Sequence, residues 1–209
     1  MNKSQLTNFI TKYTLGGEIK STKWTSNGDS LSTRFISGDK SVVGSVVLSK
    51  FNHLSPCELG VYNTGQLSSL LSVLGDDVEL NLSQSGDKFI SMEFEDTNRK
   101  TKSKYMLSDL SVIPTPPALK NLPDTFELGI KVDPYFVNTF ISGKGALADA
   151  ETFTILTENG ETKIVIGYAS IASNRVTIPV ETTKSADIEP ISFNANMFAS
   201  ILNANKDCE

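Results

Sequence analysis

His53 is the only histidine in this chain of 209 residues, so a nucleophilic triad would have to be built around it. Such a triad calls for a serine on a sharp Gly-x-Ser-x-Gly turn, and the chain contains no such turn. The nearest cysteine, Cys57, stands four residues on, a spacing that suits no zinc site. Cys57 and Cys208 are too few for a disulfide framework and are expected to be free thiols in a reducing compartment. Asp76 and Asp77 follow Gly75, which predicts a solvated turn after a helix and not an acid–base pair. Gly143-Lys144-Gly145 has too few glycines, and no preceding strand, for a phosphate loop or a dinucleotide fingerprint. The expectation is therefore a protein that is not an enzyme, with no metal and no cofactor. One cluster remains, Arg99, Lys100, Lys102 and Lys104, in TNRKTKSKYM. It suits phosphates or an acidic neighbour, and equally a solvated hairpin whose charges blunt an edge strand.

The elements around these residues follow a four-fold pattern. An Asn or Asp is followed four, seven and eight residues later by large apolar side chains. The copies are Asn2 with Leu6, Phe9 and Ile10; Asn63 with Leu67, Leu70 and Leu71; Asp133 with Val137, Phe140 and Ile141; and Asn194 with Phe198, Ile201 and Leu202. Each predicts a helix whose short polar side chain accepts the orphan N–H bonds of the first turn, with one apolar stripe behind it. Pro134 at the first helical position adds to the third copy. The caps stand 61, 70 and 61 residues apart. Equal outer spacings with a longer middle one predict two similar domains of two units each.

Strand signals fill the intervals. They lie near Ile19–Thr25, Ser30–Ile36 and Ser41–Leu48, separated by turns at Asn27-Gly28-Asp29 and Ser37-Gly38-Asp39. Others lie near Glu58–Tyr62, Val78–Ser83, Lys88–Glu95 and Lys102–Leu107. In the second half they lie near Phe126–Val132, Thr152–Leu156, Lys163–Tyr168, Arg175–Val180 and Pro190–Phe193, with FELGIKV echoing the earlier CELGVY. Residues 112–124 (VIPTPPALKNLPD) hold four of the eight prolines and predict an extended, semi-rigid connector. The fold expected is α+β: domains at 1–111 and 125–209 joined by the connector 112–124, each built from helices laid across antiparallel sheets. Unit two runs roughly 48 residues from its cap and unit four only about 15, so repeat arithmetic predicts that the closing strands of unit four, roughly 33 residues, lie beyond Glu209.

Apolar content of 39% and charged content of 21% fit a globular protein, and no apolar run is long enough to span a bilayer. The start, MNKSQLTNF, lacks the apolar core of a secretory signal, which predicts a cytoplasmic protein. A net charge of −5 argues against an overtly basic nucleic-acid binder but permits enclosure of DNA, which needs only weak local contacts.

At ELGVYNTGQLSSLLSVLGDDVELNL (58–82), FEDTNRKTKSKYMLSDLSVI (94–113), the proline connector and FELGIKVDPYFVNTFIS (126–142), the chain resembles the DNA sliding clamps. It is most like those of T4-type bacteriophages and more distantly like proliferating cell nuclear antigen. The resemblance covers most of the chain as pattern more than identity. It implies a homotrimeric ring, closed head to tail, that encircles duplex DNA and tethers the replicative DNA polymerase inside an infected bacterial cell, placed there by a clamp loader. It implies helices lining the hole, where the lysines at the margins of the polar helix faces, Lys3, Lys12, Lys144 and Lys206, face DNA. It also implies a groove for partner peptides under the connector, with walls expected from Leu48, Phe51, Leu54, Val112, Ile113, Pro114 and Leu119. Phe51 and Leu54, set among polar neighbours, read as exposed anchors. Subunits are expected to join by strand addition between the edge near Lys102, Lys104 and Met106 and the edge near Arg175, Thr177, Ile178 and Val180. The other reading is a virion or tail structural protein built from tandem β-rich domains, against which the four capped helices weigh.

Overall fold

The computed structural model describes residues 1–118, 125–169, 171, 173–184 and 187–206. Each expected cap opens a helix: α1 (Lys3–Thr14), α2 (Thr64–Ser72), α3 (Pro134–Ala146) and α4 (Ala195–Ala204). The backbone amides of Ser4, Gln66, Phe136 and Met197 donate to the side-chain oxygens of Asn2, Asn63, Asp133 and Asn194 over 2.8–3.0 Å. A cap of this kind is worth about 1 kcal/mol, so all four helix starts are set locally.

The chain divides into two compact units, Met1–Leu119 and Lys120–Glu209, and the boundary falls inside the expected connector. In the first, β1 (Thr22–Ser26), β2 (Ser30–Ile36), β3 (Val43–Ser49) and β4 (Cys57–Val61) form an antiparallel sheet in the order β3-β2-β1-β4. A second sheet of β5 (Val78–Ser85), β6 (Lys88–Asp96) and β7 (Lys102–Met106) follows α2 in the order β5-β6-β7. The two sheets meet where the Ser108 amide donates to the Gly60 carbonyl over 2.9 Å. A Cβ at position 60 would lie 2.3 Å from the Ser108 oxygen, so only glycine lets the two backbones approach this closely. The apolar stripe of α1 is buried on the first sheet through Phe9, Tyr13 and Trp24, whose rings meet edge to face at 5.5–6.4 Å. Burying Trp24 and Tyr13 also buries their polar atoms. The Trp24 indole N–H donates to the Tyr13 hydroxyl over 3.2 Å, which in turn lies 3.3 Å from Thr64 Oγ1. Desolvation pushes the Tyr13 hydroxyl well above its ordinary pKa, so it stays protonated as a linker between β1, α1 and α2.

In the second unit, β9 (Thr152–Glu158), β10 (Glu161–Ile166), β11 (Val176–Pro179) and β13 (Ile191–Asn194) form a sheet in the order β11-β10-β9-β13. A two-stranded sheet joins β8 (Gly129–Ile130) to β12 (Thr182–Lys184). The four-stranded sheets of both units thus share one strand order, with a helix before the first strand and another after the last. The core gathers Phe136, Phe140, Phe153, Ile164, Ile166, Ile178 and Leu202.

One expected strand is corrected. Phe126–Val132 does not form a seven-residue strand: only Gly129–Ile130 pairs, and with β12, because β9 already has β10 on one side and β13 on the other. The strand Thr182–Lys184 had no signal of its own. The third helix runs on through Gly143-Lys144-Gly145 to Ala146 because Gly143 is buried there, where a Cβ would stand 3.0 Å from Val176 Cγ1. Replacing Tyr13 with Phe is expected to leave the buried Trp24 N–H unpaired and to cost about 1–3 kcal/mol, read from urea unfolding. A cost near zero would show that Trp24 finds another acceptor.

Candidate functional site

The exposed helix faces carry small neutral polar groups: Ser4, Asn8 and Thr11 on α1, and Gln66, Ser69 and Ser72 on α2. None of the chain's 24 Asp and Glu residues lies within any of the four helices. Propensity does not explain this, since Glu is a good helix former and is favoured in the first turn by the helix dipole. Among the described residues acidic charge lies on strands, turns and loops.

The four lysines expected beside DNA behave differently from one another. The Lys144 side chain is buried (9% exposed), and its Nζ donates to the Ala148 carbonyl over 2.7 Å, at the C-terminal end of α3. Lys3 Nζ donates to the Leu74 carbonyl just past α2. Both ammonium groups are spent on helix-end carbonyls, where unpaired backbone acceptors and the dipole favour a cation. That overturns the expectation for Lys144 as a group facing outward, and it ties down Lys3. Lys12 is half-buried in the last turn of α1, and Lys206 is exposed just beyond α4.

The strand edges are in place. β7 is the outer strand of its sheet, and β11 is the outer strand of the sheet in the second unit. The Leu107 amide donates inward to Ile90, so by alternation the amides of Lys102, Lys104 and Met106 point to the open side. On β11 the Val180 amide donates inward to Thr162, which makes Ile178 inward as well, buried at 3% exposure. Thr177 is left as the outward donor of β11, because Pro179 has no N–H. The backbone groups of Ile178 and Val180 are thus used within their own sheet and are not the ones an added strand would meet. The basic cluster lies on the β6–β7 hairpin, where its three lysines pair with glutamates of β6. Lys104 contacts Glu93 at 2.8 Å, and Lys102 and Lys100 contact Glu95 at 2.9 and 3.6 Å. Hydrogen bonds from Lys104 and Lys102 hold the two carboxyls below their ordinary pKa values. These are exposed pairs of small net worth, spread as charge along an edge strand.

The expected groove is largely dissolved. Phe51 and Leu54 are core residues, 1% and 6% exposed. The Phe51 amide donates to the Asp29 carbonyl and the Leu54 carbonyl accepts from Ser26 Oγ, so the loop folds onto the β1–β2 turn and buries them. Leu48 is a half-buried residue of β3, Ile113 is buried, and Val112 is exposed. Leu119 lies outside the described residues. A concavity of about 360 Å³ does lie under the start of the connector, lined by Ile19, Lys20, Arg34, Phe35, Ile36, Pro114 and Pro116. Arg34 donates a guanidinium N–H to the Pro117 carbonyl and so fastens the connector over β2. Of the expected walls, Pro114 alone lines it. Arg34 and Ile36 carried no signal in the sequence, because a connector folding back more than eighty residues later cannot be read from spacing.

Among the described residues no group of His, Cys, Asp and Glu stands close enough together to hold a metal ion. His53 is exposed and lies edge-on to Phe51 at 5.2 Å, and partial burial raises the Cys57 thiol pKa. Asp76 and Asp77 use their carbonyls to accept from Lys3 and Thr97 amides in the turn after α2. No protein-family model matches the sequence, and no curated protein matches it. Lys144→Met is expected to destabilise the second unit by about 0.5–1.5 kcal/mol through the lost carbonyl contact, while Lys12→Met stays within about 0.5 kcal/mol of the parent. Equal effects in urea unfolding would contradict the distinction drawn between these lysines.

Proposed function

We propose that this chain is a subunit of a DNA sliding clamp, a non-enzymatic processivity factor that encloses duplex DNA and tethers a replicative polymerase. The observation that carries this reading is the complete absence of carboxylates from four helices in a chain of net charge −5. A surface that must tolerate a polyanion without gripping it needs local negative charge removed more than it needs many cations. With a screening length of about 8 Å at physiological salt, acidic groups on distant strands have little effect at such a surface. The helices come as packed pairs, α1 with α2 and α3 with α4. That arrangement supports a helix-lined DNA face better than it supports a β-rich tail protein.

Two further features suit a ring. β7 and β11 are different edges, so pairing them between copies gives a heterologous contact that closes when the rotation allows, as a homotrimer would. The concavity under the connector, with its mixed apolar floor and Arg34, suits an extended partner peptide from a polymerase or loader. Among the described residues no helix is long and apolar enough to cross a membrane, compatible with work in the cytoplasm of an infected bacterial cell.

Protein loaded on closed circular DNA is expected to remain bound until the circle is cut and then to escape. Binding to short linear duplex is expected to be weak and salt-sensitive. Tight binding to short linear duplex at physiological salt would overturn enclosure. Lys104→Pro removes only an outward amide of β7 and is expected to leave the subunit folded but monomeric by light scattering. An unchanged assembly mass would place the interface elsewhere.

A further inference from the structure

Two Asn-Gly pairs occur in the chain, Asn27-Gly28 and Asn159-Gly160. Both lie in hairpin turns, the first between β1 and β2 and the second between β9 and β10. Asn followed by Gly carries a latent reaction. The glycine backbone nitrogen is the right number of bonds from the Asn Cγ to close a five-membered ring, and glycine has no Cβ to obstruct the approach. Closure then depends on what else holds those two atoms, and the fold holds them differently at the two pairs.

At the first pair both reacting groups are engaged. Asn27 Oδ1 accepts from the Asp29 and Ser30 amides over 2.9 and 2.8 Å and from Ser30 Oγ over 3.1 Å, an Asx turn that holds the carboxamide in place. The Gly28 amide, which would attack, donates to the buried Ser26 Oγ over 3.2 Å. Ser26 Oγ donates in turn to the Leu54 carbonyl, and the Phe51 amide donates to the Asp29 carbonyl, so the turn is fastened to the loop behind it.

At the second pair neither group is held. Asn159 and Gly160 are the two residues between the paired Glu158 and Glu161. Their φ angles of 55° and 78° are both left-handed, as in the two-residue turn that Asn-Gly favours. Both residues are exposed, and among the described residues neither the Asn159 carboxamide nor the Gly160 amide has a hydrogen-bond partner. A Cβ built on Gly160 would meet nothing within 4 Å, so the space beside the turn is open.

We infer that Asn159 is a site of spontaneous covalent modification in the folded protein, where its side-chain amide is lost to water, and that Asn27 is protected from the same reaction. The Gly160 nitrogen attacks Asn159 Cγ. A C–N bond forms, the Cγ–Nδ2 bond breaks, and Nδ2 leaves as ammonia with the proton given up by the Gly160 amide. Water then opens the cyclic imide at one of its two carbonyls. One opening leaves an aspartyl residue; the other leaves an isoaspartyl residue, whose main chain runs through Cβ and Cγ and is one methylene longer. Either product sets a new carboxylate between Glu158 and Glu161, where Lys163 is already paired with Glu158 at 3.4 Å. The longer main chain no longer fits a turn of two left-handed residues. The inference rests on the two turns alone and is independent of whether the chain encloses DNA.

The test holds the folded protein in mildly alkaline buffer beside a sample unfolded in guanidinium chloride. Peptide mapping by mass spectrometry follows conversion at both pairs, and methyl transfer by a protein isoaspartyl methyltransferase reads the isoaspartyl product. In the folded protein Asn159 should convert faster than Asn27 by about tenfold or more, since several hydrogen bonds must first be released at Asn27. The gap should close in the unfolded sample, where both pairs have lost their bonds. Asn159→Gln, whose longer side chain cannot close the five-membered ring, should remove the signal of the second pair and leave that of Asn27 as it was. Three results would overturn the inference: equal conversion at the two pairs in the folded protein, faster conversion at Asn27, or Asn159 left intact in the folded protein while the unfolded sample converts.

Discussion

A helix with a single apolar stripe cannot be stable in water by itself, and here the stripes are covered by antiparallel sheets together with the neighbouring helix of each pair. The stripe behind each cap must lie along one sheet face, which fixes where the strands have to be and which of their side chains turn inward. In the first unit this constraint places Phe9 and Tyr13 on Trp24, and the polar atoms carried into the core by those rings are then joined to Thr64. The hydrogen-bonded linker is a consequence of apolar burial. Because an unpaired buried N–H is costly, it also makes the packing directional: α2 must present Thr64 at one place for the Tyr13 hydroxyl to reach it. The Gly60–Ser108 crossing has the same origin, since sheets serving adjacent helices must approach closely where those helices pack together.

With the apolar stripes turned inward, the outward helix faces become the part of the surface whose chemistry is free to vary, and the charge pattern there is selective. Carboxylates are absent from the helices and cluster instead on hairpins, where Glu93 and Glu95 hold the lysines of β7. Lysines that look available in sequence are drawn to helix-end carbonyls, because a long flexible side chain bearing a point charge gains more from nearby orphan acceptors than from standing in water. The result is a helical surface with little charge of either sign. In the proposed clamp, attraction to DNA would rest on a few groups such as Lys12 and Lys206, and persistence on DNA on enclosure more than on contact energy.

The local elements were legible in the amino-acid order. Cap and stripe lie within eight residues of each other, so Asn2, Asn63, Asp133 and Asn194 announced the four α-helices of the described residues, and turns such as Asn27-Gly28-Asp29 marked the hairpins. The α+β class followed from alternating helical and strand periods. What local order could not determine is which strand pairs with which, and what a long side chain touches. FELGIKV copies CELGVY in sequence yet forms only a two-residue strand, because its place beside β9 is taken by a strand some sixty residues later. Phe51 and Leu54, apolar residues among polar neighbours, read as exposed anchors and are core, because backbone bonds to Asp29 and from Ser26 fold their loop inward. Lys144 reads as a surface cation and is buried at 9% exposure by a carbonyl four residues away. Spacing along the chain records the backbone period and so determines helix, strand and turn. Burial, strand partners and the reach of a side chain depend on groups brought together across tens of residues, and those were decided only when the sheets closed over the helices.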